Sequence, residues 1–160
     1  MSWRREIDEL RRREAMAREM GGPEKIKRQR DAGRLTVRER IAALLDADSF
    51  HEIGAISGRA EYGPDGTLDS YRAANSIFGR GRIAGRPVVV SGDDFTVRGG
   101  AGDAAIHAKQ VAAEQMANEL RLPIVRLIEG TGGGGSVKTL ETLGRTYIPA
   151  NPAWDWVVAN

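Results

Sequence analysis

The sequence has 160 residues, of which 41% are hydrophobic and 29% charged, and its formal net charge is +2. This length and composition are typical of one ordinary globular domain and exclude a disordered or fibrous chain. The absence of cysteine excludes disulfides and thiolate metal sites, and His51 and His107 are too few for a histidine cluster. Carboxylates could still bind a hard cation, but we assign no metal site. Neither a membrane-spanning stretch nor a secretion signal is recognisable, and we expect a cytoplasmic protein without membrane contact.

Positive charge is concentrated at the start of the chain. Residues 1–40 contain 13 Lys and Arg against 8 Asp and Glu, whereas the other 120 residues contain 11 against 14. A basic segment of this kind can bind nucleic acid or an acidic partner. Here the acidic residues alternate with the basic ones and Trp3 is the one aromatic residue, which favours a solvated helix with many ion pairs. We therefore expect no nucleic-acid partner.

Helical patterns occupy the first 45 residues. Gly21-Gly22-Pro23 ends the first helical pattern, and Thr36 with Glu39 forms the capping-box pattern that opens a third. The predicted helices are Ser2–Met20, Glu24–Asp31 and one that begins after Thr36. We predict a helical arm over residues 1–45, followed by a second unit over residues 46–160.

The second unit alternates strands, glycine loops and helices. Ala84-Gly85 is a hairpin signal, and Val88-Val89-Val90 suits a strand buried on both faces, whereas residues 57–72 are predicted to be loop. The predicted strands are Phe50–Ile56, Ser76–Ile83, Arg86–Asp94 and a buried Pro123–Ile128, and the predicted helices are Asp103–Leu120, one near Thr139–Gly144, and Pro152–Asn160. This order predicts an α/β layered fold with two glycine loops at the carboxyl ends of strands, where open sheets bind ligands. No closing strand follows, so we expect the fold to be incomplete.

The loop Gly130–Ser136 has three interpretations. Its glycines match the spacing of a dinucleotide fingerprint, but a glycine run matches such patterns by chance, and Asp155 lies in a helical segment instead of at a strand end. A Walker A loop is rejected because Lys138 comes two residues too late. Third, consecutive glycines can direct backbone N–H groups at a carbonyl oxygen that gains negative charge, an effect of about 10²–10³ in rate per donor. From the loop alone, this third interpretation and a tight turn without a ligand both stay open.

Four segments together carry a resemblance to a known family. They occur in the order Gly33–Ile41 (GRLTVRERI), Gly79–Arg86 (GRGRIAGR), Asp93–Gly100 (DDFTVRGG) and Ile124–Gly135. Over about residues 24–160 the sequence resembles the β subunit of biotin-dependent acyl-CoA carboxylases, the carboxyltransferases of the propionyl-CoA and methylcrotonyl-CoA type. The first and third segments are specific to that family.

The resemblance implies a crotonase-like fold of stacked ββα units, here incomplete and preceded by the helical arm. It implies an enzyme that moves carboxyl from carboxybiotin to the α-carbon of a short acyl-CoA, with biotin brought by a biotin carboxylase or biotin carrier subunit, in a homo-oligomer. In that family, backbone amides at glycine pairs stabilise the anionic oxygens of the reaction. The implied CoA-thioester wall comprises Gly99, Gly100, Ala101, Gly132, Gly133 and Gly134.

The sequence departs from the family pattern in two respects. The family usually has Ser-Gly-Gly-Ala-Arg in the second loop, whereas this loop has additional glycines and no arginine. The later glycine pair that the family places in an oxyanion hole lies beyond Asn160, so no catalytic residue is assigned and we expect these 160 residues to be inactive alone. The lack of a four-cysteine zinc ribbon indicates the propionyl type.

Several residues have a structural as well as a functional interpretation. His107 is interpreted as a packing or hydrogen-bonding residue and not a general base, and Asp93-Asp94 as a strand-end turn and not a magnesium site. Trp154 and Trp156 are interpreted as anchors of the last helix, either in the core or in the missing half of the fold, and not as residues that stack an adenine. Four arginines are candidate contacts to CoA phosphates: Arg80, Arg82, Arg86 and Arg98. The alternative function is a non-catalytic module that docks a larger subunit through its basic arm.

Overall fold

The computed structural model describes residues 3–102, 106–130, 137, 140–141, 144–145 and 151–160. Three helices come first and a mixed set of strands and helices follows. In chain order the elements are α1 (Arg4–Arg18), α2 (Pro23–Asp31), α3 (Val37–Leu44), β1 (His51–Ile53), β2 (Gly58–Tyr62), β3 (Leu68–Ala73), β4 (Ser76–Ile83), β5 (Arg86–Asp93), a 3₁₀ turn (Arg98–Gly100), α4 (His107–Leu120), β6 (Ile124–Leu127) and α5 (Trp154–Ala159). None of the described helices is both long and apolar enough to cross a membrane.

The helix boundaries in the arm follow from local chemistry. Pro23 occupies the first turn of α2, where its missing N–H costs nothing. The predicted capping box at α3 is confirmed: the Thr36 hydroxyl accepts from the Glu39 amide at 3.3 Å and donates to the Glu39 carboxylate at 2.8 Å. That carboxylate also accepts from the Thr36 amide at 2.7 Å, which satisfies a second unpaired donor at the start of the helix.

A four-stranded sheet in the order β1-β4-β5-β6 forms the centre of the described part. The pairs β1–β4 and β4–β5 are antiparallel, and β5–β6 is parallel, with α4 as the crossover. Ala84 (φ 50°) and Gly85 (φ 77°) form the predicted two-residue turn, and both amides donate to the Asp46 carboxylate at 2.9 and 2.8 Å.

Helices cover both faces of the sheet. The core cluster joins α3, through Val37 and Ile41, to Val88 and Val90 of β5. Because side chains alternate along a strand, Val89 projects to the opposite face, where α4 packs on β4 and β5. Val89 is 0% exposed, so the predicted burial of this strand on both faces is confirmed. Since α3 shares its core with the sheet, the division of the chain at residue 45 stays a prediction only.

The prediction of loop for residues 57–72 was wrong. β2 and β3 pair antiparallel in a separate two-stranded sheet. β2 and β3 contain few apolar residues, so no apolar alternation marks them in the sequence, and α1 packs against β3. The Ser70 hydroxyl donates to Glu61 across the pair at 2.8 Å, and Arg13 of α1 lies 5.5 Å from the centre of the Tyr62 ring.

Other boundaries differ less from the prediction. β1 is shorter than Phe50–Ile56 because Gly54 turns the chain with φ 64°. β6 is half-buried and not buried, since in the described residues it is an edge strand paired only with β5, and Ile128 beyond it is 75% exposed. α4 begins at His107, after an extended Ile106, and the predicted start at Asp103 lies outside the described residues.

Toward the end of the chain, most of the helix predicted near Thr139–Gly144 lies outside the described residues. The final helix is present as α5. Trp154 is 62% exposed, so it does not anchor α5 in the core of the described part.

Thr36→Ala should lower the free energy of unfolding by about 2 kcal/mol or more, because a lost cap costs about 1–2 kcal/mol and a buried methyl group about 0.8 kcal/mol. Thr36→Ser keeps the hydroxyl and should lose only about the methyl contribution. Urea denaturation of both variants measures the difference. Equal losses would show that the capping hydrogen bonds do not stabilise the fold.

Candidate functional site

The parallel pairing of β5 and β6 brings the two glycine loops together. The register places Gly92 opposite Leu127, so both loops leave the sheet at the same edge. A Cβ atom on Gly100 would lie 2.5 Å from the carbonyl oxygen of Glu129, and one on Gly130 would lie 3.1 Å from the carbonyl oxygen of Gly100. The main chains of the two loops therefore touch, and this approach requires glycine at position 100.

The first loop is a left-handed turn. Arg98, Gly99 and Gly100 have φ angles of 52°, 63° and 64°. The amide of Gly100 donates to the Val97 carbonyl at 3.1 Å, and the amide of Ala101 donates to the Arg98 carbonyl at 3.2 Å. Among the described residues, the Gly99 amide has no hydrogen-bond partner. In this conformation Gly99 thus offers a donor to a ligand, whereas Gly100 provides close packing.

Asp94 closes the predicted turn at the end of β5. Its carboxylate, 1% exposed, accepts from the amide of Thr96 at 2.9 Å and from the Thr96 hydroxyl at 2.6 Å. That hydroxyl in turn accepts from the amide of Gly21 at 2.9 Å, which ties the helical arm to the turn. Burial raises the pKa of Asp94, and the two bonds from Thr96 oppose that rise.

The described residues contain no group of three His, Asp or Glu side chains that could hold a metal ion.

Glu129 holds the start of the second loop. Its carboxylate accepts from the Gln29 side chain of α2 at 2.7 Å and from Arg40 of α3 at 3.2 Å. Its amide donates to the Asp93 carboxylate at 3.1 Å. Sequence reasoning missed this cluster, because no local pattern connects positions 29 and 129.

The Asp93 carboxyl shares this environment. Burial raises its pKa above the ordinary value of 3.8, while the Glu129 amide and the Arg40 guanidinium oppose the rise. The charge of Glu129 adds to the rise. Asp93 thus sits at the edge of the glycine loops as a partly desolvated acid.

Pockets border the first loop on more than one side, and two of them are relevant here. One, of about 390 Å³, adjoins Gly99 and is rich in positive charge; its described lining residues are Lys25, Arg28, Gln29, Arg34, Phe95, Thr96, Arg98 and Gly99. The other, of about 480 Å³, lies between β6, α4 and α5 and includes Asp93, Gly102, His107, Glu114, Arg126 and Ile128. Both volumes are within the usual range of small-molecule sites.

The structure brings some predicted site residues together and separates others. Gly99 lines the first pocket and Gly102 the second, with Gly100 and the buried Ala101 between them along the chain, whereas Gly132, Gly133 and Gly134 lie outside the described residues. Of the four candidate arginines, Arg98 adjoins the wall. The others, Arg80, Arg82 and Arg86, lie toward the hairpin end of the sheet, away from the loops. His107 is exposed at the start of α4.

Comparison with known families decides the assignment. Residues 28–149, which contain both glycine loops, match the carboxyl transferase domain. The chain belongs to the carboxyl transferase family. The resemblance inferred from the four sequence segments is confirmed, and the family is one of enzymes.

Relatives of this carboxyl transferase chain are β subunits of acyl-CoA carboxylases. A probable biotin-dependent acyl-coenzyme A carboxylase β2 subunit of Mycobacterium tuberculosis is 34% identical over 144 residues, 89% of this chain and 25% of the relative. The mitochondrial propionyl-CoA carboxylase β chain of Sus scrofa is 34% identical over 125 residues, 77% of this chain and 23% of the relative. The chain therefore spans about a quarter of these relatives.

The fold agrees with the family. The crystal structure of the transcarboxylase 12S subunit with methylmalonyl-CoA and methylmalonic acid bound superposes with a TM-score of 0.69 at 26% identity, covering 90% of this chain and 29% of the other. A single-chain, multi-domain long-chain acyl-CoA carboxylase gives 0.65 at 30% identity, covering 83% and 15%. The predicted crotonase-like α/β fold is confirmed, and this carboxyl transferase chain contains part of that fold.

Gly100→Ala should destabilise the carboxyl transferase chain more than a matched glycine substitution elsewhere. Both Gly100 and Gly66 have positive φ, so alanine costs about 1–2 kcal/mol at either site. At Gly66 no atom lies within 4 Å of the added Cβ, whereas at Gly100 the Glu129 backbone must move, which adds about 1–3 kcal/mol. Urea denaturation measures both. Equal losses would contradict the close contact of the loops.

Asp93→Asn tests the desolvated carboxyl. Because folding raises the pKa of Asp93, the folded state binds the proton of this carboxyl more tightly than the unfolded state does. The free energy of unfolding of the wild type therefore falls as pH rises from 3.8 through the raised pKa. The variant should therefore gain stability relative to wild type over that interval, and the difference should be constant at higher pH. Urea denaturation at a series of pH values measures it. A difference independent of pH would contradict the burial of this charge.

Proposed function

We propose that this chain belongs to the carboxyltransferase component of an acyl-CoA carboxylase. It would move carboxyl from carboxybiotin to the α-carbon of a short acyl-CoA. The observation that carries the proposal is the contact between the two glycine loops, Gly99–Ala101 and the loop that starts at Gly130, at one edge of the sheet in a member of the carboxyl transferase family.

The proposed role of the glycines is to hold an oxygen that becomes negative. Loss of a proton from the α-carbon places charge on the thioester oxygen, and a preorganised amide stabilises that charge. Gly99 has an amide without a partner in the described part of the chain, so it is the donor we assign to the thioester. Gly100 and Ala101 shape the wall, and Gly132, Gly133 and Gly134 are proposed to complete it.

The Glu129 cluster keeps this wall in position. Both loops begin at groups that are hydrogen-bonded to each other, the Asp93 carboxylate and the Glu129 amide. Gln29 and Arg40 fix the Glu129 side chain from the helical arm. Because these bonds join three separate segments, the amides are oriented before any substrate binds, which is the condition for electrostatic catalysis.

Cofactor, partners and assembly are proposed on the strength of the family. Biotin, when carboxylated, supplies the carboxyl group, and we propose that a biotin carboxylase or biotin carrier subunit brings it. None of the described residues is assigned to biotin. We also propose a homo-oligomer, since the transcarboxylase 12S subunit is described as a hexamer. The cytoplasmic location stays a prediction, and the relative from Sus scrofa is mitochondrial.

The 160 residues alone are proposed to bind CoA without transferring carboxyl, because the family's later glycine pair is expected beyond Asn160. The alternative, a docking module that acts through the basic arm, has less support. Gly21, Gln29 and Arg40 of the arm bond to the turn after β5 and to Glu129, so the arm is part of the site's framework.

Calorimetric titration of this chain with acetyl-, propionyl- and methylcrotonyl-CoA tests the proposal. We expect binding of at least one, with a dissociation constant below about 1 mM, the upper end of the range usual for enzyme substrates. NAD serves as the control and should give no heat, because Asp155 lies in a helical segment and not at the strand end that a dinucleotide site requires. Absence of heat from all three acyl-CoA compounds, with a folded sample, would remove the CoA site and favour the docking alternative.

A further inference from the structure

Glu52, in the edge strand β1, has donors from three other elements near it. Arg38 of α3 donates to the Glu52 carboxylate at 2.8 and 3.3 Å. The charge of Glu52 also acts on Lys109 of α4 and on Tyr71 of β3, so both side chains lie within its electrostatic range. These four residues are here called the Lys109 cluster. Because β1 forms the edge of the sheet opposite to β6, the cluster is separate from the glycine wall (Gly99–Ala101).

Lys109 is a buried lysine whose amine has no direct partner. Only 6% of the residue is exposed, and within the described part of the chain the amine forms neither an ion pair nor a hydrogen bond. Burial lowers the pKa of Lys109; the charge of Glu52 opposes that fall, and the charge of Arg38 adds to it. An ammonium group that is removed from water without a counter-ion is costly, so a negative acceptor at this amine would stabilise the folded chain.

Two further donors of the cluster are also unsatisfied. The Nε–H of Arg38 and the hydroxyl of Tyr71 are buried, and neither has a hydrogen-bond partner among the described residues. Burial raises the pKa of Tyr71, so the hydroxyl keeps its proton and can donate it. Buried polar groups are nearly always paired, and an unpaired one indicates a bound water molecule or ion. The donors around Glu52 therefore need acceptors that the described residues do not supply.

The loop after β1 leaves space beside the end of the Lys109 side chain. A Cβ atom on Gly54 would lie 3.7 Å from Cε of Lys109 and 2.8 Å from the hydroxyl oxygen of Ser57. Glycine at position 54 keeps this space free of side-chain atoms, and Gly54 itself is exposed. A ligand can thus reach the cluster from solvent, and the narrow approach suits a small ligand instead of a long or branched one.

We propose that the Lys109 cluster binds one small monovalent anion, such as chloride or bicarbonate. A single negative charge is favoured because Arg38 and Lys109 are two cations, whereas Glu52 is the one acid whose charge acts on Lys109 within the described residues. The anion accepts hydrogen bonds from the Lys109 amine, the Arg38 Nε–H and the Tyr71 hydroxyl, and such charge-assisted bonds are about twice as strong as neutral ones. A water molecule would satisfy the donors but would leave the surplus positive charge unbalanced. The site does not depend on the proposed carboxyl transfer.

The test follows the chlorine NMR line width of sodium chloride in the presence of the whole chain, because chloride that binds to the protein broadens the line. Lys109→Met removes the amine and keeps an unbranched side chain of good helix propensity. Tyr71→Phe removes the hydroxyl alone. The matched controls make the same changes at exposed positions, Lys27→Met in α2 and Tyr62→Phe in β2. Circular dichroism verifies that all four variants fold.

We expect the wild type to broaden the chloride line. Lys109→Met should weaken chloride binding by about tenfold or more and Tyr71→Phe by about threefold or more, since each removes a donor to the anion. Each control should change it by less than about twofold, because exposed charges and hydroxyls contribute little.

Sodium bicarbonate, added at constant pH, identifies the anion. A narrower chloride line would show that bicarbonate takes the same site, and an unchanged line would show a preference for chloride; both results support the site. No broadening by the wild type, or equal broadening by the wild type and Lys109→Met, would overturn the proposal and leave an ordered water as the partner of these donors.

Discussion

The hydrogen bonds of Glu129 are the interaction on which the rest of the site depends. The Glu129 carboxylate, just beyond β6, accepts hydrogen bonds from Gln29 of α2 and Arg40 of α3. The backbone amide of Glu129 donates to Asp93 at the end of β5. A half-buried carboxylate among such donors is stabilised by them, and removal of one donor leaves one of its oxygens without that hydrogen bond, at a cost of about 1–3 kcal/mol. Hydrogen bonds from the arm, the sheet and the loop therefore meet at a single residue.

A second connection runs along the first loop. The Asp94 carboxylate accepts hydrogen bonds from the amide and hydroxyl of Thr96, and the Thr96 hydroxyl accepts one from the amide of Gly21. The junction between α1 and α2 is therefore attached to the turn that leads to Gly99. This explains how helices of mostly polar composition become part of the site. Their apolar contribution to the core comes chiefly from α3, whereas α2 contributes directed polar groups. The arm thus determines both the shape of the glycine wall and the charge of the pocket beside it.

Much of this fold could be predicted from the sequence because its signals are local. The capping box at Thr36, the turn at Ala84-Gly85 and the burial of Val89 each depend on neighbouring residues or on strand period. The hairpin of β2 and β3 could not, since its strands are stabilised by α1, far away in sequence. The cluster at Glu129 was missed for the same reason: its partners are separated by 36 to 100 residues.

The main-chain contact between Gly100 and Glu129–Gly130 has a consequence for the evolution and engineering of this surface. Where two main chains touch, a side chain added to one loop displaces the other loop. Substitutions within either loop therefore cannot change the shape of this surface independently. Changes in ligand preference must therefore be introduced from residues that border the wall without belonging to it, such as those of α2. A substitution at position 100 would require a compensating shift of Glu129 and Gly130, so the two loops should change together in variants of this chain.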